Sequence, residues 1–429
     1  MDKLDAIEYL NQAKYFFGTG NYDDALEYIN KGIDADKMNI ELYLFKGITY
    51  ASMDKYPEAI SAFNDSLKIN KKCAEAYFHL GNIYLMTEER ALGVENYNKA
   101  ISLGYDDSQL YYNLALMYEE EGKYDLAIRN YSKVIVKDPL RSDARVRKAT
   151  IYISNNKYPE ALETLIELIL ADPDLYDGYH LKALLLAEMD KLDDAMNVLD
   201  EAVMLFPKDP AFPLDKVNIY VLKGDTTKAK EEISKLEESY ELNYEQKRRL
   251  ELEKSRLYAL ESNIDSVIES LIKAREYTVK ADPEDLDTEA TFLLVNCYLE
   301  KKEFDKAASC SKELLERNDL AYAIPSYYTY PYAVANGGNE EEAKNIYKDS
   351  IGKLRAITLK NPDILDGYFF RALCHKEIGE NDKAMELCDY LLKIDDKSKT
   401  FHSLKAEVLF AMGKENEAKA EKELSETLS

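Results

Sequence analysis

The sequence predicts an all-α chain, a solenoid of stacked helix-turn-helix hairpins. Three observations carry that prediction. Small residues recur every 34 positions, 46% hydrophobic residues are combined with 32% charged ones, and 429 residues include only 16 Gly and 11 Pro. That hydrophobic content can bury a large core, and the charge is normal for helices with long solvent-facing stripes. So few turn formers argue against sheets joined by many tight turns.

The repeat is legible in four columns, each stepping by 34 residues. The first is Ala25, Ala59, Gly93, Ala127, Ala161, Ala195 and Ala229. The second, twelve residues upstream, is Ala13, Gly47, Gly81, Ala115, Ala149, Ala183 and Val217. A third is largely aromatic: Phe16, Tyr50, Tyr84, Tyr118, Tyr152, Leu186 and Tyr220. A fourth reads Ile29, Phe63, Tyr97, Tyr131, Leu165, Leu199 and Ile233. Small residues recur where helices cross closely, and large apolar ones fill the wedge beside the crossing. Gly20-Asn21, Asn155-Asn156 and Gly224-Asp225 supply turns, and Pro139, Pro173 and Pro207 follow the ends of second helices.

These columns closely resemble the tetratricopeptide-repeat family. The fourth repeat shows it best, with Tyr111, Leu114, Ala115, Tyr118, Gly122, Tyr124, Ala127, Tyr131 and Pro139. The family's Trp is absent, and Tyr9, Tyr43, Tyr77, Tyr111 and Tyr179 stand in its place. The resemblance implies about twelve repeats in a right-handed superhelix, with the first helix of each repeat lining a concave groove.

Residues 6–243 are expected to form a regular solenoid of seven phased repeats. Residues 244–429 are expected to form about five irregular ones, ending in a polar cap. Extra residues fall at 244–247, 282–287, 322–323 and 358–364, and the interior Pro331 is expected to kink its helix. Whether the two segments form one superhelix or hinge near 240–250 is left open by the sequence.

Motifs that carry chemistry are missing: there is no Gly-rich phosphate loop, H-E-x-x-H, G-x-S-x-G or Cys/His ligand spacing. No catalytic residue, metal or cofactor is therefore expected, and the chain does not read as an enzyme. His375 occupies a core column, whereas His79 and His180 fall on inner helix faces. The five cysteines lack zinc or disulfide spacing and read as small apolar filler. Neither a signal peptide nor a membrane span is evident, so a cytoplasmic location is expected.

A net charge of −25 makes nucleic acid a poor partner, and the densest basic cluster, Lys247-Arg248-Arg249, is flanked by acids. Acidity keeps a long solenoid soluble, and it also suits a protein or peptide partner with a basic patch. Membrane insertion is not expected, and self-association is allowed but not required.

The resemblance implies that this chain is an interaction scaffold binding a peptide or helical segment of a partner. A chaperone-like or regulatory peptide receptor, or a non-catalytic subunit of an enzyme complex, is the alternative. Carried onto matching positions, the groove comprises Phe17, Phe45, Phe78, Asn82, Tyr112, Asn113 and Arg147. The aromatics suit an apolar segment or pack on the neighbouring repeat. Some family members grip a terminal carboxylate with Asn, Asn and basic residues in these columns. Here Phe78 and Asp143 stand where that clamp has Lys, so contact with a peptide backbone is the better expectation.

Overall fold

A computed structural model describes residues 3–317 and 319–428. Those residues form 24 α-helices and no strand. The chain divides into two compact units, residues 1–206 and 207–429.

The first unit holds α1 (Lys3–Gly18), α2 (Tyr22–Ala35), α3 (Ile40–Ala51), α4 (Tyr56–Ile69), α5 (Ala74–Met86) and α6 (Arg90–Ser102). It continues with α7 (Ser108–Glu120), α8 (Tyr124–Lys137), α9 (Ser142–Ser154), α10 (Tyr158–Ala171), α11 (Tyr176–Glu188) and α12 (Leu192–Leu205). Each odd helix pairs with the even helix that follows it. First helices also meet directly, α3 with α5, α5 with α7 and α9 with α11. Second helices are separated by the next first helix, so they form the outer layer.

The repeat columns are the core. Ala25, Ala59, Ala127, Ala161 and Ala195 are fully buried, as are Tyr97, Tyr131, Leu165 and Leu199. Gly81 shows why its column must be small: a Cβ there would lie 2.6 Å from the ring of Tyr97. The third column is half-buried, apart from the buried Leu186.

Every hairpin of this unit turns on one residue with left-handed backbone. These are Gly20, Asp54, Glu88, Gly122, Asn156 and Asp190, again 34 residues apart. At five of them (all but Glu88) the next residue donates its N–H back to the last turn of the first helix, as Lys123 does to the Tyr118 carbonyl at 2.8 Å. Glycine suits this conformation, yet four of the six positions carry a side chain.

The second unit contains α13 (Ala211–Leu222), α14 (Thr226–Ser239), α15 (Tyr244–Leu260), α16 (Ile264–Ala281), α17 (Thr288–Glu300) and α18 (Phe304–Leu315). It ends with α19 (Leu320–Asn336), α20 (Glu340–Lys360), α21 (Leu365–Glu377), α22 (Asn381–Ile394), α23 (Lys399–Ala411) and α24 (Glu415–Thr427). Here lengths vary: α15 has 17 residues, α16 has 18, α18 has 12 and α20 has 21. Helix elongation thus absorbs much of the extra sequence.

α19 runs through Pro325 and Pro331 as one helix. Pro331 has no N–H to give the Tyr327 carbonyl four residues earlier. The Cys374 thiol from α21 donates to that oxygen instead, at 3.8 Å. At the C-terminus α24 buries only Ala418 and Ser425.

Candidate functional site

The expected groove residues lie on five first helices of the first unit, α1, α3, α5, α7 and α9. Phe17 on α1 and Phe45 on α3 are half-buried, and their rings meet at 5.3 Å. Phe78 on α5 is only 8% exposed and stacks on Tyr105 at 4.8 Å. Its ring therefore packs the repeat rather than facing the groove.

Asn82 and Asn113 are brought together. The Asn113 amide nitrogen donates to the Asn82 side-chain oxygen at 3.0 Å and to the Tyr97 hydroxyl at 3.1 Å. Tyr97 in turn donates to the same Asn82 oxygen at 2.6 Å, and Gln109 donates to the Asn113 oxygen at 2.7 Å. Asn113 is thus buried and engaged at both ends. Asn82 spends its oxygen in the network and keeps its amide nitrogen outside it. The cause is the phenol of Tyr97: burial pushes its pKa well up, and a buried O–H needs an acceptor.

The network continues toward α9. Arg141 donates to Gln109 at 2.9 Å and to Asp143 at 3.1 Å, and its guanidinium lies 3.9 Å from the centre of the Tyr112 ring. Tyr112 meets Tyr131 edge-on at 5.7 Å. Tyr131 donates to Glu119 at 2.5 Å, and the exposed Arg147 reaches the same carboxylate at 3.4 Å. Arg147 is therefore separate from the asparagine pair. It edges a cleft of about 480 Å³ lined by Leu116, Glu119, Tyr124, Arg147 and Thr150.

Sequence reasoning missed Gln109 and Arg141. A signal was present: the fourth column puts phenols at Tyr97 and Tyr131, where other repeats have Ile, Phe or Leu. Buried phenols call for polar partners on the facing helix.

His79 is half-buried and stacks on Phe63 at 5.2 Å. Burial lowers its pKa to about 4, against a smaller upward pull from Glu75. His375 is buried, as its column implies, and contacts Glu380 at 2.6 Å. Cys73, Cys310, Cys374 and Cys388 are buried free thiols, and burial pushes Cys388 up to about 12.

In the second unit, Arg248 makes a two-pronged contact with Asp287 at 2.6 and 2.9 Å, and Arg249 pairs with Asp215. The two arginines of the basic cluster are thus paired with acids of their own unit. A larger cleft of about 960 Å³ lies among α21, α23 and α24, beside the exposed Phe410. Among the described residues no group of three or more His, Cys, Asp or Glu is placed to hold a metal, and no helix is long and apolar enough to cross a membrane.

Models described as tetratricopeptide repeat match residues 10–70, 74–104, 118–185 and 176–209. The chain is a tetratricopeptide-repeat protein. No curated protein matches it. Among solved structures it is similar to YrrB, described as a TPR protein with an unusual peptide-binding site. The two are 20% identical over 42% of this chain and 92% of YrrB, with a TM-score of 0.38. MamA is 26% identical over 38% of this chain and 94% of its own, with a TM-score of 0.35. A chain of the Naa15/Naa10 complex bound to HypK-THB is 14% identical over 98% of this chain and 68% of its own, with a TM-score of 0.43.

Proposed function

We propose that this tetratricopeptide-repeat protein is an interaction scaffold that holds an extended segment of a partner protein along α5, α7 and α9. Stacked repeats present long concave surfaces suited to that task. The observation that carries the reading is the cleft between α7 and α9. It combines a half-buried apolar side chain, Leu116, with the exposed Arg147 and Thr150 and the carboxylate of Glu119. Arg147 and the amide nitrogen of Asn82 are donors suited to peptide carbonyls. The Tyr97–Asn82–Asn113–Gln109–Arg141 network fixes the helices that present them. Phe17 and Phe45 extend this face toward the N-terminus as an apolar contact, and Phe78, Tyr112 and Asn113 support it from beneath.

The network also argues against a carboxylate clamp. Asn113 is engaged internally, and Asp143 adds an anion beside Arg141. The test is an affinity pull-down comparing wild type with an Asn82→Ala/Arg147→Ala/Thr150→Ala variant. A partner held by wild type and lost from the variant is expected. Identical partner sets would overturn the reading.

A further inference from the structure

The outer layer of the first unit carries an apolar ridge that the groove does not explain. Val136, Leu170 and Met204 occupy the same position in three successive repeats, near the ends of α8, α10 and α12. They are 80%, 76% and 81% exposed. Single exposed apolar residues are ordinary, but three in register form a line across adjacent outer helices. Beside Leu170 and Met204 the outer surface is acidic, with the exposed Glu163, Glu167 and Glu201, whereas the equivalent positions beside Val136 carry the exposed Arg129 and Lys133.

From this we propose that the ridge is a second docking surface, and that its occupant is a basic amphipathic helix of another protein. Two features select that occupant. Repeats of packed helices step by roughly 10 Å, and a helix rising 1.5 Å per residue covers that in about seven residues, or two turns. One face of a straight helix can therefore meet all three side chains. Basic residues flanking the part of that face that lies over α10 and α12 complement the three glutamates there and the net charge of −25. A second copy of this chain fits poorly. Laid antiparallel across the ridge, it sets Glu163 and Glu167 against their own counterparts.

The probe is a fluorescent helical peptide of about 20 residues, with Leu about every seventh position and Lys on the flanks. Anisotropy titration against the full chain should show binding, at least about tenfold tighter than for a peptide of equal composition with its Leu positions shuffled. A Val136→Ser/Leu170→Ser/Met204→Ser variant should lose at least about tenfold in affinity at unchanged helix content. Glu163→Gln/Glu167→Gln/Glu201→Gln should flatten the salt dependence. Asn82→Ala/Arg147→Ala should leave probe binding unchanged, which separates this surface from the inner face. Absence of binding, equal binding of the shuffled peptide, or equal affinity of the Ser variant would overturn the proposal. So would a dimer in sedimentation equilibrium that the Ser variant dissociates, because the ridge would then be covered by a second copy.

Discussion

Among the described residues, 1–206 bury amides such as Asn113 and phenols such as Tyr97 but no carboxylate, whereas 207–429 bury the carboxylates of Asp215, Glu232, Glu251, Glu253 and Asp287. Asn82, Tyr97 and Asn113 share neutral hydrogen bonds between α5, α6 and α7. Arg248, Arg249 and Arg256 instead link α13, α15 and α17 through Asp215, Glu253, Asp287 and Glu289. Helix lengths differ in parallel. The twelve helices of the first unit have 12 to 16 residues, whereas those of the second range up to 21. Neutral networks suit a uniform repeat, because each bond depends on one close and reproducible spacing. Long charged side chains span uneven gaps, and a buried ion without its partner is penalised heavily. We propose on this basis that repeat regularity changes near residue 243, where the long helices begin, although the compact units divide at 206/207.

The comparison can be broken most severely at Arg248. The Asp287 side chain is fully buried. Burial alone raises its carboxyl, but Arg248, the Ala290 N–H and Thr278 outweigh that and hold it below the ordinary range. Arg248→Ala should destabilise the second unit by about 3 kcal/mol. Hydrogen exchange should accelerate in α15–α17 and stay unchanged in α1–α12. The depressed Asp287 carboxyl contributes stability above its unfolded value near 4, and this is lost as pH falls through the lower folded value.

His79 gives the first unit its own pH response. Its folded pKa of about 4 lies below the ordinary histidine value of 6.5. The folded state therefore favours the neutral ring, and stability falls as pH drops from about 6.5 toward 4, by about 3 kcal/mol. His79→Phe should remove that slope from urea denaturation followed by exchange in α5.

Smaller effects sharpen the packing account. Gly81→Ala gains helix propensity but drives a methyl into the ring of Tyr97, so a net loss of about 1–2 kcal/mol is expected. Glu88→Gly should have the opposite sign. Glu88 holds a φ of 61°, and relieving it should stabilise the hairpin by about 1 kcal/mol. Both are measured by denaturant midpoints.

Much of the fold was legible because burial selects residue size at fixed spacing. The Ala25 and Ile29 columns are core for that reason. The left-handed turn column was only partly legible, since Asp54, Glu88 and Asp190 occupy it without being glycine; backbone geometry is imposed there by the helices on either side. The site was less legible still. Phe78 looked like a groove aromatic because helical spacing does not distinguish the inner face from the wedge where Tyr105 covers it. Asn82 and Asn113 looked like ligand donors, and their bonding to Tyr97 depends on a distance between repeats that no column records. The pairing of Arg248 was not legible, because Asp287, its partner, lies 39 residues away.

The most direct test of the inner-face account is site-specific photo-crosslinking in cells. A benzophenone amino acid is placed at Thr150, in the cleft, or at Glu95, exposed on α6. The account predicts a discrete crosslinked partner from position 150 that disappears with Arg147→Ala, and none of that partner from position 95. Equal capture from both positions, or capture at 150 that ignores Arg147, would contradict it.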